Sequence, residues 1–138
     1  MLGEKIGEES GRVTSRRVLE GDDYRYVKME ITFETEATIL GHQGADIGTY
    51  TIFERVPGQI YGVGQGIFMS SDGQSAIWNG HGVGQPSGDG MGISFAASVA
   101  FQAADKLAAL NGMLVVVEHS TDAEGNAKST LYEWKAQA

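Results

Sequence analysis

Glycine occupies every second position twice in this chain, at Gly62, Gly64 and Gly66 and again at Gly80, Gly82 and Gly84. Side chains alternate faces along a strand, so each run leaves one face of one strand bare. A turn signal, Ser71-Asp72-Gly73, lies between the runs and folds one against the other. Such paired bare faces belong to a tightly curved antiparallel sheet, where glycine relieves crowding and permits sharp coiling. The feature specifies an architecture and no reaction.

At 138 residues the chain suits one domain, and 41% apolar content is too high for disorder. Residues 1–10 read as a flexible acidic tail and residues 11–138 as a single barrel domain. The formal charge of −8 argues against nucleic acid or an anionic membrane as partner. Neutral or cationic small molecules, or other proteins, fit better. Cysteine is absent, which excludes disulfides, thiolate chemistry and cysteine-ligated zinc and suits a reducing compartment. With no apolar leader and no run of membrane-spanning length, the expected location is cytoplasmic. Charge is unevenly placed: between residues 56 and 104 only Asp72, Asp89 and His81 can carry it. A solvated strand normally carries lysine, glutamate or arginine outside. Their lack predicts that a partner subunit covers this stretch in a homo-oligomer.

The clearest strand covers residues 27–39. Val27, Met29, Ile31, Phe33, Ala37 and Ile39 alternate there with Lys28, Glu30, Thr32, Glu34, Glu36 and Thr38. Further strands are predicted at 12–19, 47–56, 59–70, 74–85, 91–103, 113–120 and 128–134, with a helical turn at 105–110. Turns or loops are predicted at 20–23, 41–46, 57–58, 71–73, 86–90 and 122–126. Eight short strands and almost no helix predict an all-β, single eight-stranded antiparallel β-barrel, because closure removes the sheet edges.

Two-residue turns at 57–58 and 72–73 would set Tyr50 opposite Gln65, Glu54 opposite Tyr61 and Ile67 opposite Trp78. One face then collects Glu54, Tyr50, Tyr61, Gln65 and Trp78 beside Gly80, Gly82 and Gly84. The other collects Phe53, Arg55, Asn79 and His81 beside Gly62, Gly64 and Gly66. Aromatic bulk assigns the first face to the interior. Tyr61, Gln65, Trp78 and Phe95 are therefore the candidate ligand contacts, a few polar groups among aromatic walls. A one-residue change in turn geometry would exchange the faces, and an ordinary filled core is the alternative reading.

Candidate catalytic groups are Glu54, Tyr50 and Glu118. Glu118 lies on an otherwise apolar strand, where burial would raise its pKa towards neutrality. The alternative is an ion pair with Arg55 or Lys128, or exposure at a strand end. His42, His81 and His119 fall on separate elements, so their spacing supports no metal site. The chain contains no Gly-x-Ser-x-Gly, and no helix follows Gly62–Gly66 to hold a dinucleotide phosphate. No cofactor is implied.

Glu54-Arg55-Val56-x-Gly58, the glycine and phenylalanine rhythm through Gly66-Ile67-Phe68, and Leu107-Ala108-Ala109-Leu110-Asn111-Gly112 together resemble a group of small uncharacterised bacterial barrels. These barrels are similar in fold to plant allene oxide cyclases. The resemblance spans roughly residues 25–135. It implies an allene oxide cyclase-like, calycin-like barrel, dimeric or trimeric, with an apolar lumen that steers a bound substrate by shape. No catalytic residue is carried across by these motifs. The expectation is a barrel that binds an apolar or aromatic small molecule in its lumen as a cyclase or isomerase. The alternatives are a noncatalytic lipocalin-like carrier and a structural oligomeric barrel with a filled core.

Overall fold

The computed structural model describes residues 1–21, 27–88 and 90–136. Eight strands follow in chain order: β1 (Leu2–Leu19), β2 (Lys28–Ile39), β3 (His42–Val56), β4 (Gln59–Ser70), β5 (Ser75–Pro86), β6 (Ile93–Ala103), β7 (Leu114–Thr121) and β8 (Asn126–Trp134). A 3-10 helix, Asp105–Gly112, links β6 to β7. Each strand pairs antiparallel with the next, and β8 pairs with β1 to close the barrel. The chain is thus the all-β, eight-stranded barrel that its strand spacing predicts. Among the described residues no helix is long and apolar enough to cross a membrane. The turn expected at 20–23 and the loop at 86–90 lie partly outside the described residues.

Three expectations are corrected. Residues 2–10 are no flexible tail: they form the first half of β1, paired with β8 and, from Gly7 onward, with β2. The buried positions here carry Gly7 and Glu9, so no apolar alternation marks the strand. Residues 42–46 are no loop either, because β3 already starts at His42. The turn before it uses only Leu40 (φ 50°) and Gly41 (φ 81°), the double positive φ of a two-residue hairpin. Leucine is rare in that region; here its side chain packs against the core.

The third correction is register. Val56 pairs with Gln59, but Glu54 pairs with Ile60, so Arg55 is an extra residue, a β-bulge. At the next turn Met69 pairs with Ser75, Ser70 N–H donates to Gln74 O, and Gly73 adopts φ 87°. That is a three-residue loop with glycine in the left-handed position. Both ends of β4 therefore shift by one residue, and β4 is turned over relative to the expected pairing. Tyr50 lies opposite Gly64, Gly66 opposite Trp78, Gly62 opposite Gly82 and Gly64 opposite Gly80. The two glycine runs line the same inner wall. Tyr61 and Gln65 face outward.

Two packed clusters fill the barrel's length. One joins Ile39, Phe68, Phe101, Val115 and Leu131 to Leu107 and Leu110 of the 3-10 helix, both with no exposed surface. The helix therefore stoppers one end. Asn111 secures its last turn, accepting from Ala103 N–H at 2.8 Å and donating to Ala103 O at 2.7 Å. The other cluster holds Ile31, Phe33, Tyr50, Ile52, Ile60, Ile93 and Phe95. Trp78 packs against both.

Candidate functional site

The glycine wall makes room for rings reaching across from other strands. A Cβ on Gly48 would lie 2.5 Å from Trp78 Cζ2 and 2.6 Å from Phe33 Cζ; one on Gly64 would lie 2.8 Å from Tyr50 Cβ. Contacts this short do not occur between packed side chains, so the rings occupy space that side chains on β3 and β4 would otherwise take. Phe33 stacks near Trp78 with centroids 6.3 Å apart and meets Tyr50 at 6.0 Å. Tyr50 meets Phe95 edge-on at 5.8 Å. Against these rings, Gly62, Gly64, Gly80 and Gly82 leave a cavity of about 90 Å³. One water needs only about 10–15 Å³ of such space, so the lumen is not filled by its own side chains.

Two polar groups face this cavity. In the first, Glu9 of β1 and Asp46 of β3 are both buried and hydrogen-bond to each other. Thr35 Oγ1 donates to Glu9 Oε1 at 3.0 Å, and Trp78 Nε1 donates to Asp46 Oδ1 at 2.8 Å. Burial pushes both carboxyl pKa values up, and the charge of Asp46 raises Glu9 further. A hydrogen bond between two carboxyl groups needs a proton on one of them, and Glu9, raised the further, keeps its proton to higher pH. In the second group, Tyr50 Oη lies 3.3 Å from His119 Nε2, and His119 Nδ1 lies 2.8 Å from Ser129 Oγ. Burial lowers the His119 pKa to about 4 and raises that of Tyr50, so both are neutral at pH 7. A neutral imidazole donates through one nitrogen and accepts through the other, which makes the Tyr50–His119–Ser129 chain directional.

Of the residues singled out from the sequence, Tyr50, Trp78 and Phe95 line this cavity. The remaining four do not. Gln65 and Glu118 are exposed. Tyr61 meets Phe53 edge-on outside at 5.2 Å, and the Arg55 guanidinium lies 3.9 Å from its ring centre. Together with Glu118 and Lys128 it borders a broad open groove of about 960 Å³. Glu54 is half-buried at the bulged end of β3.

Sequence reasoning missed Glu9, Asp46, His119 and Ser129. A period-two signal was present for Asp46 and His119 but not for Glu9. Gly44, Asp46, Gly48, Tyr50 and Ile52 alternate through β3, and Val115, Val117, His119 and Thr121 through β7. The expected tail at 1–10 contains Glu9 and the expected loop at 41–46 contains Asp46, while an inward Glu118 would turn His119 outward.

One surface constellation contains serine-protease residue types without their arrangement. Ser70 Oγ donates to Asp72, and Asp72 Oδ2 lies 3.2 Å from His42 Nδ1. The carboxylate stands between hydroxyl and imidazole, so His42 does not reach Ser70 Oγ, which also accepts from Gln74 N–H at 2.9 Å in the turn.

No family model and no curated protein matches the chain. Solved structures match its fold. A protein of unknown function from Clostridium acetobutylicum superposes with TM-score 0.80 at 14% identity, covering 96% of this chain and 98% of that one. A conserved protein of unknown function from Rhodopseudomonas palustris gives 0.79 at 15% identity, with 96% and 97% covered. A β-barrel-like protein from Acinetobacter baumannii gives 0.79 at 12%, with 98% and 96% covered. At such identities the likeness concerns the fold alone: this chain is similar end to end to small bacterial barrels.

Proposed function

We propose that the barrel binds a small apolar or aromatic molecule in its lumen. The observation that carries this reading is the cavity of about 90 Å³, walled by Phe33, Tyr50, Trp78 and Phe95 and furnished with two separate polar groups. Ligand pockets combine apolar walls with a few placed polar atoms in this way. A purely structural barrel would fill the same space with side chains. Cyclase or isomerase chemistry is the second reading, favoured by two buried carboxyl groups in hydrogen-bond contact, of which one can give a proton while the other takes one. Acid and base then stand side by side in a water-poor site. A carrier would use the same lumen and release its ligand unchanged.

Native mass spectrometry of the purified protein tests binding. Retention of a small organic molecule is expected, and Ala97→Leu, which extends a cavity-lining side chain into the space, should release it. Retention by Ala97→Leu would place the ligand elsewhere. Chromatography of the released molecule against the supplied one separates isomerase from carrier. The outer face of β4–β6 supports a further part of the reading, that the barrel is a homo-oligomer, a dimer or trimer. Val63, Met69, Ile77 and Val83 are all exposed there without a charged neighbour on β4 or β5.

A further inference from the structure

The cavity gathers acid without base. Glu9 and Asp46 are 8% and 2% exposed, and both line it. Their other partners are the Thr35 hydroxyl and the Trp78 indole, neither of which is charged. Among the described residues no lysine or arginine lines the cavity. Arg16, which acts on Tyr50 electrostatically, is itself exposed and outside the lining. A buried carboxylate without a counter-charge is costly, and proteins normally pair it. The cavity is walled by aromatic rings, Phe33, Tyr50, Trp78 and Phe95, and a ring's face attracts a cation that has left water. Neither histidine of the lining supplies the missing charge: His119 is neutral at pH 7, and the His81 ring lies on the outer face of β5 beside Tyr61, 6.3 Å between ring centres. The net charge of −8 also raises the local concentration of cations and lowers that of anions.

We propose that the lumen's ligand is an organic monocation, a protonated amine on a compact aromatic or alicyclic body, its ammonium donating to Asp46 and Glu9 and its body lying among Phe33, Tyr50, Trp78 and Phe95. This rests on the reading of the lumen as a binding site. The ammonium offers three donors, and the carboxyl pair offers acceptor lone pairs left free by Thr35 and Trp78. Tyr50, His119 and Ser129 stand apart from the carboxyl pair as a neutral chain that can meet a second polar atom of the ligand.

The test uses three probes of one shape: benzylamine, benzyl alcohol and benzoate. Binding is read from Trp78 fluorescence in a Trp134→Phe background, since the chain has two tryptophans and Trp134 is exposed. Benzylamine is expected to bind about tenfold tighter than benzyl alcohol, the size of one charge-assisted hydrogen bond, and benzoate weakest of all. Asp46→Asn, which keeps the shape, should abolish the amine's preference while leaving benzyl alcohol unchanged. Equal or tighter binding of the alcohol or of benzoate to the native lumen overturns the cation assignment and leaves the lumen as a binding site. Failure of all three to bind, with Ala97→Leu indistinguishable from native, removes the lumen reading and the cation with it. The native comparison decides even if Asp46→Asn does not fold.

Discussion

β2 and β5 are both twelve-residue strands of one barrel, and they distribute bulk in opposite ways. β2 points Ile31, Phe33, Thr35, Ala37 and Ile39 inward and four charged residues, Lys28, Glu30, Glu34 and Glu36, outward. β5 points Ala76, Gly80, Gly82 and Gly84 inward around a single large ring, Trp78, and carries Ile77 and Val83 on its outside. One wall is thick inside and charged outside; the other is thin inside and has no acid, lysine or arginine outside. Hydrophobicity alone decides little for β5, since Ser75, Asn79, His81 and Gln85 share the outer face with Ile77 and Val83. What sets its orientation is volume: rings from β2, β3 and β6 need a wall with no side chains to close against. The lumen exists because the thin wall leaves more room than those rings fill.

The comparison can be broken from the thick side first. Phe33→Ala should cost about 3–5 kcal/mol in denaturant unfolding, because the thick wall carries the packing. A loss below about 1 kcal/mol would show that the lumen collapses to refill the space.

β1, β3 and β7 supply the lumen's ionisable groups, so pH dependence belongs to them. His119 has a folded pKa of about 4, below its ordinary value of 6.5. Its stabilising contribution is therefore complete above pH 6.5 and lost as pH falls towards 4, by about 3 kcal/mol at 1.36 kcal/mol per unit. Thermal midpoints of His119→Gln should be flatter than those of the native protein across that window. Glu9 has the opposite sign. Its raised folded pKa favours folding below about pH 4.5, and that contribution is lost as pH rises through the raised value. Glu9→Gln should accordingly raise the midpoint more at pH 7 than at pH 4. An equal rise at both would mean that Glu9 is not held protonated.

Thin-wall substitutions are smaller in effect. Gly66→Ala brings a Cβ to 2.5 Å from Ile47 O and still closer to the Trp78 ring, with an expected cost of about 1–3 kcal/mol. In a Trp78→Phe background the added cost should fall, since the two changes share one contact. Strict additivity would mean that the backbone, not the ring, sets the wall's thinness. The outer face gives the smallest change in stability. Val83→Lys should stay within about 0.5 kcal/mol for a monomer yet, if the proposed homo-oligomer forms through this face, shift the mass in light scattering to a single chain. Glu34→Lys on β2 serves as the charged-wall control and should leave the assembly unchanged.

Sequence made β2 legible because its faces differ in polarity, and the strand count followed from turn chemistry. β4 was misplaced by one residue at each end. A bulge at Arg55 leaves no compositional mark, and Ser71-Asp72-Gly73 serves a two- or a three-residue loop equally well. The site was half legible for a related reason. Tyr50, Trp78 and Phe95 announce themselves as large rings, whereas Glu9 and Asp46 are acids on inward positions, where alternation leads one to expect leucine. Only the pairing of β1 with β8 and β2 turns Glu9 inward.

That pairing also governs how the molecule can form. Leu2 meets Trp134 and Lys5 meets Tyr132, so the seam joins opposite ends of the sequence, while every other seam joins neighbours. During synthesis seven of the eight seams can pair as their strands emerge, but β1 must wait with an open hydrogen-bonding edge for β8. Closure is then a slow, late event, as for other long-range pairings, and the interval before it is when this chain is most exposed to pairing with its neighbours.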